Sequence, residues 1–358
     1  MSTITELATE RVRQLTPYLS ARRIGGKGHN FLNANEAPKS ATFLMKSITL
    51  NRYPECQPPE VIEAYADYSG VAEENILVSR GSDESIGLLV RTFCEPGKDA
   101  ILISTPTYGM YSISADTAGV KTVDVPPADD FQPDVEAIRN TVENGSDNIK
   151  VIFICSPNNP TGNVVDDEKL TQILEFTKGR CLVVVDEAYI EFCPEATKVK
   201  FMKDYDHLVI TRTLSKAFAL AGIRCGFTLA NPEVIKLMLK VIDPYPIADP
   251  VAQIAVQALS THGIAIMKER VAELKERRNR FVEEVKKLDF VQEVFYENAN
   301  YILIRFKDGE ALFKACADKG IILRDFHTKT RLQNCVRITI GSEEEMNEVL
   351  SVFHSIKQ

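Results

Sequence analysis

VIFICSPNNPTGNVVDDEKLTQILEFTKGRCLVVVD, residues 151–186, is the stretch whose pattern decides the fold. The apolar runs Val151–Ile154 and Leu182–Val185 predict two short buried strands, and the amphipathic stretch Lys169–Lys178 between them predicts a helix. A strand–helix–strand unit of this kind is typical of a parallel sheet whose two faces are covered by helices. The unit therefore predicts an α/β fold.

The same alternation extends in both directions from this unit. Further strands are predicted at Ile76–Val78, Ala100–Ser104, Val120–Val125, Leu208–Thr211 and Cys225–Leu229, and further helices at Pro59–Tyr68, Glu84–Cys94 and Val135–Val142. We therefore expect one large, mostly parallel sheet covered by helices. Ligands of such sheets bind at the carboxyl ends of the strands, so the segments that follow the strands are the candidate functional segments.

The pattern changes from about Val251 onward. Helices are predicted at Val251–Leu259, Ala265–Leu288 and Glu343–His354, and strands at Tyr301–Phe306, Ile321–Leu323 and Val336–Ile340. The last helix follows a Gly-Ser pair that can cap it. This order predicts a smaller α+β domain packed against the first, because no flexible Gly/Ser linker separates the two. We divide the chain into an N-terminal arm (residues 1–30), a large domain (31–262) and a small C-terminal domain (263–358).

The composition excludes several classes of protein. The 358 residues are 44% hydrophobic and 26% charged, which is ordinary for a folded domain and argues against disorder. A net charge of −8 argues against nucleic-acid binding, and no apolar run approaches the length of a membrane span. The first residues alternate in charge and lack the apolar core of a secretory signal, so we expect a cytoplasmic protein.

Metal binding is not expected from the cysteines and histidines. The chain has eight cysteines and five histidines, and none of them shows the spacing of metal ligands. Several cysteines lie in apolar stretches, which favours buried, reduced thiols.

Two charged residues follow predicted strands and are candidates for chemistry. Lys216 comes directly after Ser215, at the predicted start of an apolar helix, and burial there would lower the pKa of its amine and make it a nucleophile for a Schiff base. Asp186 ends an apolar strand, where a carboxylate needs a positive partner such as a protonated pyridine nitrogen. Taken alone, each residue is better explained in the ordinary way, Lys216 as a solvated surface charge and Asp186 as a helix cap or turn.

Two loops could hold a bound molecule. Asn159 lies in the Pro- and Gly-containing turn Cys155–Gly162, from which its amide could donate to a ring oxygen or a carboxylate. Ser82 and Asp83 precede the predicted helix Glu84–Cys94, whose free N–H groups would bind phosphate. A tight connection and a plain helix cap are the ordinary alternatives.

In this order and at these spacings, the motifs resemble the aspartate-aminotransferase superfamily, the fold-type I enzymes that use pyridoxal 5′-phosphate. The resemblance covers nearly the whole chain. It implies a Schiff base between the cofactor and Lys216, a bond from Asp186 to the pyridine nitrogen, and hydrogen bonds from Tyr189 and Asn159 to the ring 3′-oxygen. It further implies that the Tyr108 ring stacks on the cofactor. The residues that it implies as phosphate ligands are Ser82, Asp83, Thr213, Ser215 and Arg224.

Within that superfamily the chain most resembles the histidinol-phosphate aminotransferases. The segments that carry this resemblance are LTPY (15–18), LNANE (32–36), NRYPE (51–55), DEAYIEF (186–192), LSKAFALAG (214–222) and GIILRD (320–325). The resemblance implies amino transfer between L-histidinol phosphate and 2-oxoglutarate, giving imidazole-acetol phosphate and L-glutamate in histidine biosynthesis. It also implies substrate contacts from Tyr18, Asn159, Arg324 and Arg337, and a homodimer in which Tyr53 binds the partner's cofactor phosphate.

Two other functions stay open at this point. A lyase on the same scaffold, such as a decarboxylase of threonine phosphate, would need the same lysine, aspartate and arginines. A non-catalytic pyridoxal-phosphate-binding regulator is less favoured, because no basic or helix-turn-helix segment accompanies the enzyme-like domains. The loop 325–334, with His327, Lys329 and Arg331, departs from the family pattern and is expected to tune affinity.

Overall fold

A computed structural model describes residues 3–16, 27–46 and 50–356. Its strands, numbered along the chain, are β1 (Asn30–Phe31), β2 (Ile76–Ser79), β3 (Asp99–Ile103), β4 (Lys121–Asp124), β5 (Asn148–Cys155), β6 (Leu182–Asp186), β7 (Leu208–Thr213), β8 (Gly226–Leu229), β9 (Val291–Val294), β10 (Tyr301–Phe306), β11 (Ile321–Ile322), β12 (Arg324–Asp325) and β13 (Cys335–Thr339). The predicted strands are all present, with ends shifted by up to three residues. β1, β9 and β12 were not expected from the sequence, because each is short and partly polar.

The helices lie mainly between the strands. They are α1 (Thr3–Leu7), α2 (Glu10–Gln14), α3 (Pro59–Ser69), α4 (Ser82–Phe93), α5 (Met110–Ala118), α6 (Val135–Asn144), α7 (Asp167–Thr177), α8 (Pro232–Met238), α9 (Asp249–Leu259), α10 (Thr261–Val285), α11 (Gly309–Asp318) and α12 (Glu343–Ser355). Short 3-10 turns occur at Glu73–Asn75, Ile190–Phe192, Pro194–Ala196, Val199–Phe201 and Ala221–Ile223. No helix in the described part of the chain is both long and apolar enough to cross a membrane.

The large sheet has seven strands in the order β2-β8-β7-β6-β5-β3-β4. Neighbouring strands of this sheet are parallel, except that β8 is antiparallel to both of its neighbours, β2 and β7. The α/β prediction is thus confirmed. The strands have continuous apolar sequences because both faces of the sheet are buried.

Successive residues of the central strands face opposite sides of this sheet. In β6, Val183 and Val185 pack into a core that includes residues of α3, α7 and α9, whereas Leu182 and Val184 pack into a second core that includes residues of α4, α5 and α8. The three valines are completely buried. This alternation places the two helical layers on either side of the strands.

The C-terminal part contains a four-stranded antiparallel sheet in the order β12-β13-β10-β9. Its last helix, α12, starts with the expected cap, in which Ser342 accepts the Glu345 N–H and Glu345 bonds back to the Ser342 N–H. The proposed boundary after residue 262 falls at the start of α10, and β1 pairs in parallel with β11 of the C-terminal part. The division into domains stays a prediction.

The carboxyl ends of β5, β6 and β7 lie side by side. Cys155 pairs with Asp186, and Asp186 pairs with Thr211 near the end of β7. At the neighbouring β7–β8 pair, Thr213 is opposite Gly226, and Gly226 in turn lies against the start of α4. The fold therefore brings three strand ends and one helix N-terminus to the same edge of the sheet.

Gly226 is required for the close approach of β8 to α4. A Cβ atom at this position would lie 2.5 Å from both the Gly81 carbonyl carbon and the Ser82 nitrogen. We expect Gly226→Ala to lower the free energy of unfolding by about 1–3 kcal/mol, the usual cost of overpacking. Denaturant unfolding would measure this, with Gly222→Ala as the control because a Cβ there meets no atom within 4 Å. Equal stability of the two variants would contradict the packing argument.

Candidate active site

A cleft of about 1930 Å³ lies at this edge of the large sheet and extends to the C-terminal sheet. It is lined by twelve of the residues singled out from the sequence: Ser82, Asp83, Tyr108, Asn159, Asp186, Tyr189, Thr213, Ser215, Lys216, Arg224, Arg324 and Arg337. Tyr53 is not among the lining residues, and Tyr18 lies outside the described residues. Residues far apart in sequence thus meet in one cavity.

Asp186 is buried at the bottom of the cleft. Its carboxylate accepts hydrogen bonds from the Tyr111 hydroxyl at 2.7 Å, the Thr211 hydroxyl at 3.1 Å and the Ala188 N–H at 3.2 Å. These donors are all neutral, and burial raises the pKa of Asp186 to about 6 although the hydrogen bonds oppose the rise. A buried carboxylate with neutral partners is suited to binding a cationic group of a ligand.

Lys216 lies at the same cavity with its amine largely enclosed by protein. Its Nζ donates to the Ala34 carbonyl oxygen at 3.0 Å and lies 5.7 Å from the centre of the Tyr189 ring. Burial, together with the positive charge of Arg337, lowers the pKa of Lys216 to about 8. At pH 7 about a tenth of the amine is then neutral, far more than for an ordinary lysine, and the neutral form is what a nucleophile or base requires.

The prediction of a helix that begins at Lys216 is wrong. Residues 214–218 form turns, and the only regular element before β8 is the 3-10 turn Ala221–Ile223. Ala219 and Arg224 both have left-handed backbone conformations, with φ of 59° and 54°, which an α-helix cannot contain. The apolar residues Ala217, Phe218 and Leu220 are nevertheless buried, so the turn is anchored by packing.

The start of α4 forms one end of the cleft. The helix begins at Ser82 rather than at Glu84, and Gly81 precedes it with φ of 78°. The Arg224 guanidinium lies here, donating to the Ser215 hydroxyl at 3.2 Å and pairing with Asp83 at 3.1 Å.

Two further candidate residues lie beside Arg224, namely Thr213 of the proposed phosphate set and Tyr108, which is expected to stack on the cofactor. Thr213 donates to Ser215 at 2.9 Å, and the Tyr108 hydroxyl donates to Asp83 at 2.9 Å. Hydroxyl groups, an arginine and a helix N-terminus form a set of donors suited to a phosphate group.

The opposite end of the cleft is formed by the C-terminal sheet. Arg337 on β13 is buried and donates to Asn159 Oδ1 at 2.5 Å and to the Asn33 carbonyl oxygen at 2.7 Å. Arg324 pairs with Arg337 across β12 and β13. Its Nη1 atom is buried and has no hydrogen-bond partner in the described part of the chain. Two neighbouring arginines, together with the unmet Nη1 donor of Arg324, favour an anionic ligand here.

Two contributors to the site were missed by the sequence analysis. Tyr111, completely buried and stacked on Phe153, donates to Asp186, but an aromatic residue on a helix does not by itself reveal its hydrogen bond. The segment 33–35 contacts Arg337, Lys216 and Tyr189. Its sequence signal is the largely polar segment Asn33-Ala-Asn-Glu36, which is part of the family resemblance but indicates no role by itself.

Comparison with known proteins identifies the family of the chain. Residues 27–353 match the family described as aminotransferase class I and II. The chain belongs to the class I and II aminotransferases. This aminotransferase is 54% identical over 353 residues to the histidinol-phosphate aminotransferase of Escherichia coli strain K12, a match that covers 99% of the chain and 98% of the relative.

Solved structures of similar fold cover most of this aminotransferase. The histidinol-phosphate aminotransferase of Clostridium acetobutylicum superposes with a TM-score of 0.79 at 26% identity, covering 90% of this chain and 98% of that one. The Sinorhizobium meliloti histidinol-phosphate aminotransferase, solved in complex with pyridoxal-5′-phosphate, superposes with a TM-score of 0.81 at 23% identity and covers 98% of each chain. The fold-type I prediction is confirmed.

The fold alone does not separate the aminotransferase from a lyase. L-threonine-O-3-phosphate decarboxylase from Porphyromonas gingivalis superposes with a TM-score of 0.71 at 20% identity, covering 88% of this chain and 98% of that one. At this identity the likeness shows a common fold only. The choice of reaction therefore depends on the closer sequence relatives and on the side chains of the cleft.

The lowered pKa of Lys216 can be measured in the aminotransferase freed of any bound small molecule. We expect its amine to titrate near pH 8 instead of 10.5, and Arg337→Gln to raise that value because a neighbouring positive charge is removed. The rate of acetylation of Lys216 between about pH 6 and pH 11 would report it, by peptide mass spectrometry. Exposed Lys287 in the same sample provides the reference rate. A midpoint near 10.5 for Lys216 would contradict the environment described.

Proposed function

We propose that this aminotransferase uses pyridoxal 5′-phosphate to move an amino group between L-histidinol phosphate and 2-oxoglutarate, giving imidazole-acetol phosphate and L-glutamate. The observation that carries the proposal is the 54% identity to the Escherichia coli histidinol-phosphate aminotransferase along almost the entire length of both chains. We also propose that the protein acts in the cytoplasm, in histidine biosynthesis.

The residues of the cleft fit the cofactor. Asp186 is a buried carboxylate whose hydrogen-bond donors among the described residues are neutral, so it would accept a bond from the proton-bearing pyridine nitrogen. The groups around the start of α4 would hold the phosphate: the backbone N–H groups of Ser82 and Asp83 in the first turn, and the side chains of Ser82, Thr213, Ser215 and Arg224. Tyr108 would stack on the ring, and Tyr189 and Asn159 would bind its 3′-oxygen. When bound, the cofactor supplies an electron sink that stabilises negative charge at the substrate α-carbon.

Lys216 would provide both the covalent attachment and the proton transfer. Its amine would form the attachment, and when free it would be partly neutral because burial and Arg337 lower its pKa to about 8. In that state it can accept the proton from the substrate α-carbon and return it on the cofactor side. Asp186 assists by holding the proton of the ring nitrogen in a buried, water-poor position.

Arg337 and Arg324 would bind the acidic groups of both substrates. Histidinol phosphate carries a phosphate, and glutamate and 2-oxoglutarate carry carboxylates, so one anion pocket must serve both halves of the reaction. A planar guanidinium donates paired, charge-assisted hydrogen bonds to either group. Asn159, already bonded to Arg337, would keep that guanidinium oriented, and Tyr18 would complete the pocket.

The reaction can be tested with purified protein supplied with glutamate and imidazole-acetol phosphate. We expect formation of histidinol phosphate and 2-oxoglutarate, and no release of carbon dioxide from threonine phosphate. Lys216→Ala should reduce the rate by at least about 10²-fold, since general acid–base catalysis alone contributes about 10²–10⁴-fold. Carbon dioxide release without amino transfer would favour the lyase, and a Lys216→Ala rate close to the wild-type rate would exclude the role given to this lysine.

We propose further that the enzyme is a homodimer with shared active sites. Tyr53 is 80% exposed and stacks on Tyr245, with ring centroids 4.3 Å apart. The neighbouring apolar side chains Leu44, Met45 and Leu50 are also exposed. Such a surface is suited to a subunit interface, where Tyr53 would donate its hydroxyl to the partner's cofactor phosphate.

A mixing experiment tests the shared site. Lys216→Ala chains and Tyr53→Phe chains are combined under conditions that allow subunit exchange. Each heterodimer then contains one pocket with both defects and one with neither, so we expect activity above that of either variant alone. Labelled subunits would verify exchange. Unchanged activity after complete exchange, or a monomer in sedimentation analysis, would refute the shared site.

A further inference from the structure

Three consecutive residues near the N-terminus each contact a different residue of the cleft. The Asn33 carbonyl oxygen accepts from Arg337 at 2.7 Å, and the Ala34 carbonyl oxygen accepts from Lys216 at 3.0 Å. The Asn35 side chain donates from Nδ2 to the Tyr189 hydroxyl oxygen at 2.9 Å. Of the three contacts, only the last is made by a side chain.

We propose that Asn35 is a positioning residue that fixes the direction in which the Tyr189 hydroxyl donates its proton. By occupying the hydroxyl oxygen as a donor, the amide leaves the Tyr189 O–H free to donate toward the bound cofactor. This inference rests on the proposed function, which supplies the cofactor as the acceptor.

The hydrogen bonds around Asn35 determine which end of its amide faces Tyr189. The Thr339 hydroxyl oxygen accepts the Asn35 N–H at 3.0 Å, and the same hydroxyl donates to Asn35 Oδ1 at 3.1 Å. Thr339 is almost completely buried, so its proton needs this acceptor. The amide oxygen therefore faces Thr339, and the NH₂ group faces Tyr189.

The backbone of Asn35 is held in a conformation that few residues adopt. Its φ is 55°, in the left-handed region, where asparagine is among the better tolerated side chains. Its carbonyl oxygen accepts from the Asn300 side chain at 2.9 Å, and the residue is 1% exposed. The two bonds to Thr339 on β13 hold the amide in one place, whereas the bond from Asn300 stabilises the backbone of this segment.

Tyr189 is placed to act as a proton donor. It lines the cleft, is buried, and packs edge-on against Tyr301 with ring centroids 5.1 Å apart. Burial raises the pKa of Tyr189 well above that of a free tyrosine, so the hydroxyl keeps its proton at neutral pH. A hydroxyl that accepts from Asn35 has that single proton left to donate elsewhere.

The visible absorbance of the cofactor bound to Lys216 provides a measurement that does not depend on turnover. N35D is nearly isosteric, but its carboxylate accepts the Tyr189 proton instead of donating to the oxygen. The cofactor ring oxygen then loses a donor and becomes more basic, so the Lys216 nitrogen holds its proton more tightly. We expect the pH midpoint of the absorbance to rise by about one to two units, the effect of losing a charge-assisted hydrogen bond.

The new negative charge of N35D could raise the midpoint without Tyr189. Charged groups already act on Lys216 from several elements: Arg337, Asp83, Glu36 and Arg224. N35D is therefore also measured in a Tyr189→Phe background, where only the charge effect can persist. We expect N35D to raise the pH midpoint by about one unit more when Tyr189 is present than in the Tyr189→Phe background. Equal rises in the two backgrounds, or no rise in either, overturn the proposal.

N35G provides a second variant in case N35D does not fold. Glycine adopts positive φ without strain, so N35G removes the amide while adding no charge. It should raise the midpoint when Tyr189 is present and leave it unchanged in the Tyr189→Phe background. N300D is the matched control, because Asn300 bonds to the Asn35 backbone and not to Tyr189. N300D should lower the melting temperature, and it should cause no rise in the pH midpoint that depends on Tyr189.

These outcomes separate the inference from the proposed function. If the wild-type protein binds pyridoxal phosphate without a visible band that titrates, or if Lys216→Ala keeps that band, the proposed function fails. If the wild-type band titrates and Lys216→Ala abolishes it, only the comparison of Asn35 variants decides the role of Asn35. A loss of thermal stability with an unchanged midpoint would show that Asn35 is merely structural.

Discussion

The burial of the Asp186 carboxylate at the end of β6 is the constraint on which the rest of the site depends. The group is 1% exposed and is bonded to two hydroxyls and one N–H. Because its folded-state pKa is raised to about 6, its ionisation at neutral pH costs folding free energy. The flanking valines and the two helical layers make a sheet stable enough to hold it. A cationic ring placed against it would recover part of that cost.

The remaining charges of the cleft are arranged around this carboxylate without neutralising it. Lys216 is kept partly neutral by burial and by Arg337, and Arg224 is paired with Asp83. Arg337 is bonded to neutral oxygens of Asn159 and Asn33. The cleft therefore offers separate places for a cation, a phosphate and a substrate acid group. This separation fits the proposed use of one cavity by two substrates in turn.

The sequence predicted the elements that repeat a strong local pattern. The continuous apolar runs of β5, β6 and β7 and the capped helix α12 could be located because burial and capping leave local signals. The helix expected at Lys216 failed because the apolar residues there are buried in a turn with left-handed residues. The contacts of Tyr111 and Asn35 were missed because hydrogen bonds between distant segments leave no periodic signal. The roles of the cleft residues came from family resemblance, since each motif alone had an ordinary explanation.

The pairing of β1 with β11 has a consequence for synthesis on the ribosome. Asn30 pairs with Ile321, and the bonds of Asn33 and Asn35 to β13 each span 304 positions. Contacts of such sequence separation form late, because the loop between them must close first. The large sheet can assemble during translation, but the segment that touches Arg337, Lys216 and Tyr189 must wait for the last strand to emerge. A nascent chain, or one terminated before β13, therefore lacks the completed cleft.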